Sequence, residues 1–226
     1  MRGYTGRCLY KNLQIRIVLL AQKKLSYYTF FMSIEPIDLP KIRLITVSGR
    51  IASGSTTLAK KLAQTLNWRH VEGGEIFWEA IRQKLGLDAK DTGLRPDDED
   101  KAFEQYQKQL LTQDQHIVLE TKLAGFNAQG IDGVFKILVV CTDENGEDQT
   151  NIRIDRLVNR EGMSIEKAKE EVLVREKNDI EKWQRLYADN NEAWVYWDSR
   201  YYDLVINTYS HDQHQTLELA KKALGM

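Results

Sequence analysis

The sequence predicts an α/β fold: a central parallel sheet covered by helices on both faces. Three observations carry that expectation. "IRLITVSG" at 42–49 is an apolar, β-branched run that ends on glycine. "STTLAKKLAQTLNW" follows at once, with Leu58, Leu62 and Leu66 four apart on one helical stripe. Further apolar runs then alternate with helical stretches to the end of the chain, the pattern of a sheet whose ligands sit at the carboxyl ends of its strands.

Taken in order, residues 1–38 read as a basic N-terminal extension and 39–226 as one domain. The extension carries Arg2, Arg7, Lys11, Arg16, Lys23 and Lys24, with no acidic residue before Glu35. Such a start resembles an organelle transit peptide, and "IVLLA" at 17–21 resembles a short signal core, too short to span a bilayer and lacking a small-residue cleavage pattern. The preferred reading is an upstream extension, with the folded chain beginning near "MSIEP" at Met32. Beyond the first strand and helix, "HIVLE" (116–120), "VFKILVVCT" (134–142) and "YDLVINT" (202–208) read as buried strands. Residues 75–85, 98–112 and 164–188 read as helices, "TGLRPDD" (92–98) as a loop and "TDENGEDQ" (142–149) as an acidic turn.

Composition excludes several function classes. A formal net charge of -1 argues against a surface built to bind nucleic acid or anionic membrane, so any positive patch must be local. The two cysteines, Cys8 and Cys141, form no CxxC or Cys/His spacing, which supports neither a disulfide framework nor a zinc site and suits a reducing, cytoplasmic setting. There is no Ser/His/Asp or Cys/His constellation for nucleophilic catalysis.

The chemistry concentrates in "SGRIASGSTT" at 48–57. Gly49, Gly54 and Thr56 stand where the phosphate-binding pattern GxxxxGK[ST] needs them, but Ser55 holds the lysine position. Most of that loop's work belongs to backbone N–H groups and the following helix N-terminus, so it survives the exchange. The missing cation must come from elsewhere. "NIRIDRLVNREGMSIEKAKEEVLVREKNDIEKWQR" (151–185) offers Arg153, Arg156 and Arg160 at i, i+3 and i+7, then Arg175 and Lys182 seven apart, with a break at "REGMS" that Ser164 can cap. A two-helix hairpin with cations on facing surfaces is what a lid closing over phosphates requires; interleaved acidic residues would equally suit a solvated face.

The phosphate loop, "GGEIF" (73–77), "LETKLAG" (119–125), the arginine hairpin and "YYDLVINT" (201–208) together resemble the archaeal-type cytidylate kinases, a branch of the P-loop nucleoside monophosphate kinases, over roughly residues 42–224. That branch also tends to carry a small hydroxyl residue in place of the loop lysine. The resemblance implies a three-layer P-loop kinase fold with a central parallel sheet, a helical NMP-binding segment and a helical lid. It implies transfer of the γ-phosphoryl of ATP to CMP or dCMP with Mg²⁺. The partner expected is that nucleotide, without nucleic acid or membrane as the charge balance suggests, and the chain is expected to be a monomer. Gly49, Arg50, Ile51, Ala52, Ser53, Gly54, Ser55, Thr56 and Thr57 would hold the ATP phosphates. Arg156, Arg160 and Arg175 would neutralise the transferred phosphoryl, and Thr56 and Glu120 would hold the metal.

On the acceptor side the resemblance points to Gly74, Phe77, Lys122 and Gly125. Two departures stand there. Trp78 occupies the place of an acceptor-gripping arginine, for which Arg82 one helical turn on could compensate, and Glu120-Thr121-Lys122 replaces the usual Glu-Gly-Arg. The alternatives are a P-loop kinase for another small acceptor, and a non-catalytic ATP-binding module. His70 reads as a surface or satisfied histidine, Asp97, Asp98, Glu99 and Asp100 as a solvated helix start, and "SHDQH" (210–214) as too little for a metal site.

Overall fold

The computed structural model describes residues 35–74, 77 and 96–226. The expected helix at 75–85, Trp78, Arg82 and the N-terminal extension up to residue 34 lie outside the described residues.

Strand β1 (Leu44–Gly49) is buried at all six positions, as expected of a central strand of a parallel sheet. After it come α1 (Ser55–Leu66), β2 (Arg69–Glu72), α2 (Asp97–Gln113), β3 (Ile117–Glu120), the single-turn α3 (Ala124–Asn127) and β4 (Val134–Val140). The chain continues through α4 (Thr150–Glu161), α5 (Ile165–Lys169), a π-helical stretch (Glu170–Arg175) and α6 (Glu176–Tyr187). It ends with β5 (Leu204–Asn207) and α7 (Gln213–Ala223). The five strands lie in the order β2-β3-β1-β4-β5, and every pairing is parallel.

Side-chain alternation along the strands divides the core. Ile45, Val47, Val118, Ile137 and Val139 face α1 and α7, where Leu58, Leu62, Leu66 and Ala220 meet them; Leu44, Val71, Ile117, Leu119 and Val134 face α2 and α3. The Leu58/Leu62/Leu66 stripe read from the sequence is therefore the buried face of α1. Among the described residues, no helix is long and apolar enough to cross a membrane.

Register brings the chemistry together. Glu120, last residue of β3, pairs with Val47 on one side and Glu72 on the other, so its carboxylate stands at the sheet's carboxyl edge beside the loop that leaves β1.

The lid region forms the expected hairpin. Gly162 ends α4 in the left-handed conformation at φ 64°, and the Ser164 hydroxyl accepts the Lys167 N–H at 3.3 Å to start α5. The second arm is one unbroken helical run from Ile165 to Tyr187, whose π-helical turns were not legible in the sequence. A further cluster that sequence periodicity missed, Trp183, Trp194 and Tyr196 around Leu123, fastens α6 to the segment after β3.

One expectation is corrected here. Asp97 to Asp100 do open the helix and Asp98 is exposed, but the turn as a whole is not solvated: Glu99 and Asp100 are buried, Arg185 grips Asp97 at 2.6 and 2.9 Å, and Lys182 reaches Asp100 at 2.7 Å. Two cations of α6 thus fasten it to the start of α2, and Lys182 is committed to that contact.

Candidate active site

A cleft of about 600 Å³ opens at the carboxyl edge of the sheet. Its lining includes Gly49 to Ala52, Gly54 to Thr57, Gly74, Phe77, Glu120, Lys122, Arg160 and Arg175, so most residues singled out from the sequence meet in one place.

The loop's shape follows from its glycines and its anchors. A side chain on Gly49 would be driven into the Ser53 hydroxyl and the Val139 carbonyl; Ala52 and Gly54 take left-handed backbone at φ 60° and 109°. Ile51 is held at both ends: its N–H donates to Glu176 at 3.3 Å and its carbonyl accepts from Arg153 at 2.8 Å. Arg156 donates to the carbonyls of Ala52 at 3.2 Å and Ser53 at 3.1 Å, and to the hydroxyl and carbonyl of Thr208 at 3.0 and 2.8 Å. With those carbonyls held from α4 and the end of β5, the first turn of α1 lines the cleft. Its N-cap is Gly54, no side chain caps it, and it carries no acidic residue, which leaves a helix N-terminus fit for an anion.

The arginine stripe faces the loop as its spacing predicts, but its members do different work. Arg153 is wholly buried, bonded to Asp148 at 2.8 Å and Glu176 at 3.0 Å; with Arg50, which meets the same two carboxylates at 3.1 and 2.8 Å, it completes a balanced group of two cations and two anions. The expectation that Arg153 faces the phosphates is therefore corrected. Arg156, expected to neutralise the transferred group, here donates to the loop's carbonyls and to Thr208 and is not part of the cleft lining. Arg160 stands about 10 Å further along the helix than Arg153, since seven residues rise that far. It is exposed and donates to the Thr57 hydroxyl at 3.1 Å at the cleft's edge. Arg175 lines the cleft in contact with Glu171 at 2.5 Å.

Thr56 and Glu120 meet. The Thr56 hydroxyl donates to Glu120 Oε1 at 2.5 Å, and Ser55 donates to the same oxygen at 3.3 Å. His70 Nε2 lies 3.2 Å from the other oxygen, Oε2, so this histidine is satisfied, as expected, by the carboxylate beside the loop. A hydroxyl and a carboxylate are hard oxygen donors of the kind Mg²⁺ selects.

On the acceptor side, Lys122 pairs with the buried Asp179 at 2.6 Å and lies 5.7 Å from the Trp183 ring centre. Phe77 stacks on Phe103 with centroids 4.5 Å apart, and Gly74 is open to the cleft. Two expected contacts do not reach it. Gly125 does not line the cleft: it lies under the Tyr202 ring, where no side chain fits, and its N–H donates to the Ser48 hydroxyl at 3.1 Å. Ser53 is wholly buried beneath the loop. Conversely, Lys60, Glu104, Gln107, Asp179 and Trp183 line the cleft without having been singled out as site residues. Only Lys60 had a local signal, standing one helical turn beyond Thr56 on α1.

Comparison with known proteins bears on this site. The cytidylate kinase of Pyrococcus horikoshii is 31% identical over 191 residues, spanning 82% of this chain and 91% of the relative. That of Haloarcula marismortui is 30% identical over 184 residues, spanning 80% and 88%. The chain belongs to the cytidylate kinase family. The Archaeoglobus fulgidus member is 26% identical across 93% of its length. No protein-family model matches. Among solved structures, an uncharacterized protein from Eubacterium ventriosum superposes with a TM-score of 0.55 at 17% identity, covering 81% of this chain and 98% of its own. Shikimate kinase from Bacteroides thetaiotaomicron gives 0.51 at 13%, covering 81% and 99%. These two share the P-loop kinase fold; membership of the cytidylate kinase family rests on the archaeal relatives.

Proposed function

We infer that this protein is a phosphotransferase that passes the γ-phosphoryl group of ATP to CMP or dCMP. The observation that carries the reading is the contact of Thr56 with Glu120 beside an uncapped helix N-terminus, in a cleft that Arg160, Arg175 and Lys122 also line.

In this reading the amides of the loop and of α1's first turn bind the phosphates of ATP, and Thr56 and Glu120 would hold Mg²⁺. Bound there, the ion would offset charge between the donor phosphates. Arg160 and Arg175 approach from the hairpin to supply the cation that Ser55 lacks, and Lys122 receives the acceptor phosphate. An oxygen of the CMP phosphate attacks the γ-phosphorus, the bond to the oxygen bridging to ADP breaks, and ADP leaves. The attacking oxygen is already ionised, so alignment and positive charge suffice and no side-chain nucleophile is needed. The rival readings, another small acceptor or nucleotide binding without transfer, are not favoured by relatives named cytidylate kinase.

The test is ADP release from ATP with CMP, dCMP, UMP or AMP as acceptor. We expect turnover with CMP or dCMP, and a fall in kcat of about a hundredfold or more in Thr56→Val and Glu120→Gln. Absence of turnover with all four acceptors would reject the reading.

A further inference from the structure

Beyond Lys122 the cleft is lined by one face of α2, where Phe103, Glu104 and Gln107 lie at i, i+1 and i+4. Glu104 and Gln107 are 9% and 1% exposed. The Gln107 side-chain nitrogen donates to Glu104 Oε1 at 3.2 Å, the Asn127 amide donates to Glu104 Oε2, and the Thr121 hydroxyl donates to Gln107 Oε1 at 2.7 Å. This chain of bonds admits one orientation of the glutamine. Its nitrogen must face the carboxylate, so its oxygen faces Thr121. Only one of the two hydrogens on that nitrogen is used by Glu104. A ligand entering this end therefore meets a carboxylate acceptor directly beside an amide N–H donor, next to the stacked rings of Phe77 and Phe103.

Withdrawing a carboxylate from water costs several kcal/mol, offset here in part by the Gln107 and Asn127 donors. The pair also has a directional meaning. Cytosine presents, side by side on its pairing edge, an exocyclic amino donor and a ring-nitrogen acceptor. Uracil presents the reverse, a carbonyl acceptor beside an N–H donor, and would set its carbonyl oxygen against the carboxylate.

We propose that Glu104 and Gln107 read the base of the acceptor, Glu104 accepting from the cytosine amino group and Gln107 donating to the ring nitrogen, with the Thr121 hydroxyl as the positioning group that holds the glutamine. The proposal rests on the nucleoside monophosphate kinase reading above. It makes Glu104 and Gln107 the residues that separate CMP from UMP.

The experiment compares kcat/KM for CMP and UMP in the full chain and in the Glu104→Gln and Thr121→Val variants, with KM for ATP and thermal melting alongside. A carboxamide at 104 can turn an N–H toward the uracil carbonyl. Glu104→Gln should therefore lower the CMP:UMP ratio about tenfold or more and leave KM for ATP unchanged. Thr121→Val, which changes no charge, should shift the ratio the same way by a smaller factor and decides the matter if Glu104→Gln does not fold. An unmoved ratio, or equal loss with both substrates, overturns the proposal while leaving CMP phosphorylation intact. No turnover of CMP, dCMP, UMP or AMP by the unaltered protein overturns both readings.

Discussion

Arg156 and Arg160, four residues apart on one helix, divide the work of the arginine stripe. Arg156 shapes the loop from behind through four acceptors, whereas Arg160 is exposed and touches only the Thr57 hydroxyl among the described residues. On the proposed reading, Arg160→Ala should therefore lower kcat by about tenfold or more with the melting temperature little changed, because it removes a cation meant for the phosphates from an exposed position. Arg156→Ala should lower stability by about 2–3 kcal/mol and raise KM for ATP, because loop carbonyls lose a charged donor. Steady-state kinetics and urea denaturation separate the two.

Asp97 offers a pH test. The hydrogen bond from Arg185 pulls its carboxyl down to about 2 against the opposing effect of burial. A carboxyl whose folded value is depressed adds stability above its unfolded value, near 3.9, and loses it as pH falls toward the folded one. The melting difference between the protein and Asp97→Asn should be constant from about pH 5 to 7, shrink below about pH 4 and vanish near pH 2.

At the scale of elements, the joint between the hairpin and the phosphate loop is the balanced group of Arg50, Arg153, Asp148 and Glu176. Glu176 is the first residue of α6, Arg153 belongs to α4, and both hold Ile51, so the geometry of the loop depends on the two arms staying docked. Glu176→Gln removes one anion from a buried pair and should cost about 3–5 kcal/mol in urea denaturation. The pairing of Arg153 with residues outside its helix is what no helical spacing reveals: periodicity identifies a face, and only the neighbouring elements say what that face meets.

For the whole molecule, the contacts near the start of the described residues are those of Ile37, whose N–H donates to the Leu66 carbonyl at 2.9 Å and whose carbonyl accepts from the Trp68 indole at 2.9 Å; Leu39 then enters the core. A chain starting at Met32 keeps all of these. On the proposed domain boundary, we expect it to melt within about 2 °C of the full chain and to transfer phosphoryl at the same rate. A large loss of either would give residues 1–31 a role in the folded domain.

By itself the sequence determined the strand-loop-helix unit, the apolar face of α1, the glycine break in the hairpin and the glycine-rich loop after Gly49. Each of these depends on a repeat or a backbone requirement contained in a short stretch of chain. Only the tertiary structure decided which cations are spent on carboxylates and carbonyls and which face the cleft, that Gly125 packs under Tyr202, and that Glu104 meets Asn127 and Gln107 meets Thr121. Charge pairing and burial in these cases join elements tens of residues apart, and that distance is closed by the order and register of the parallel strands.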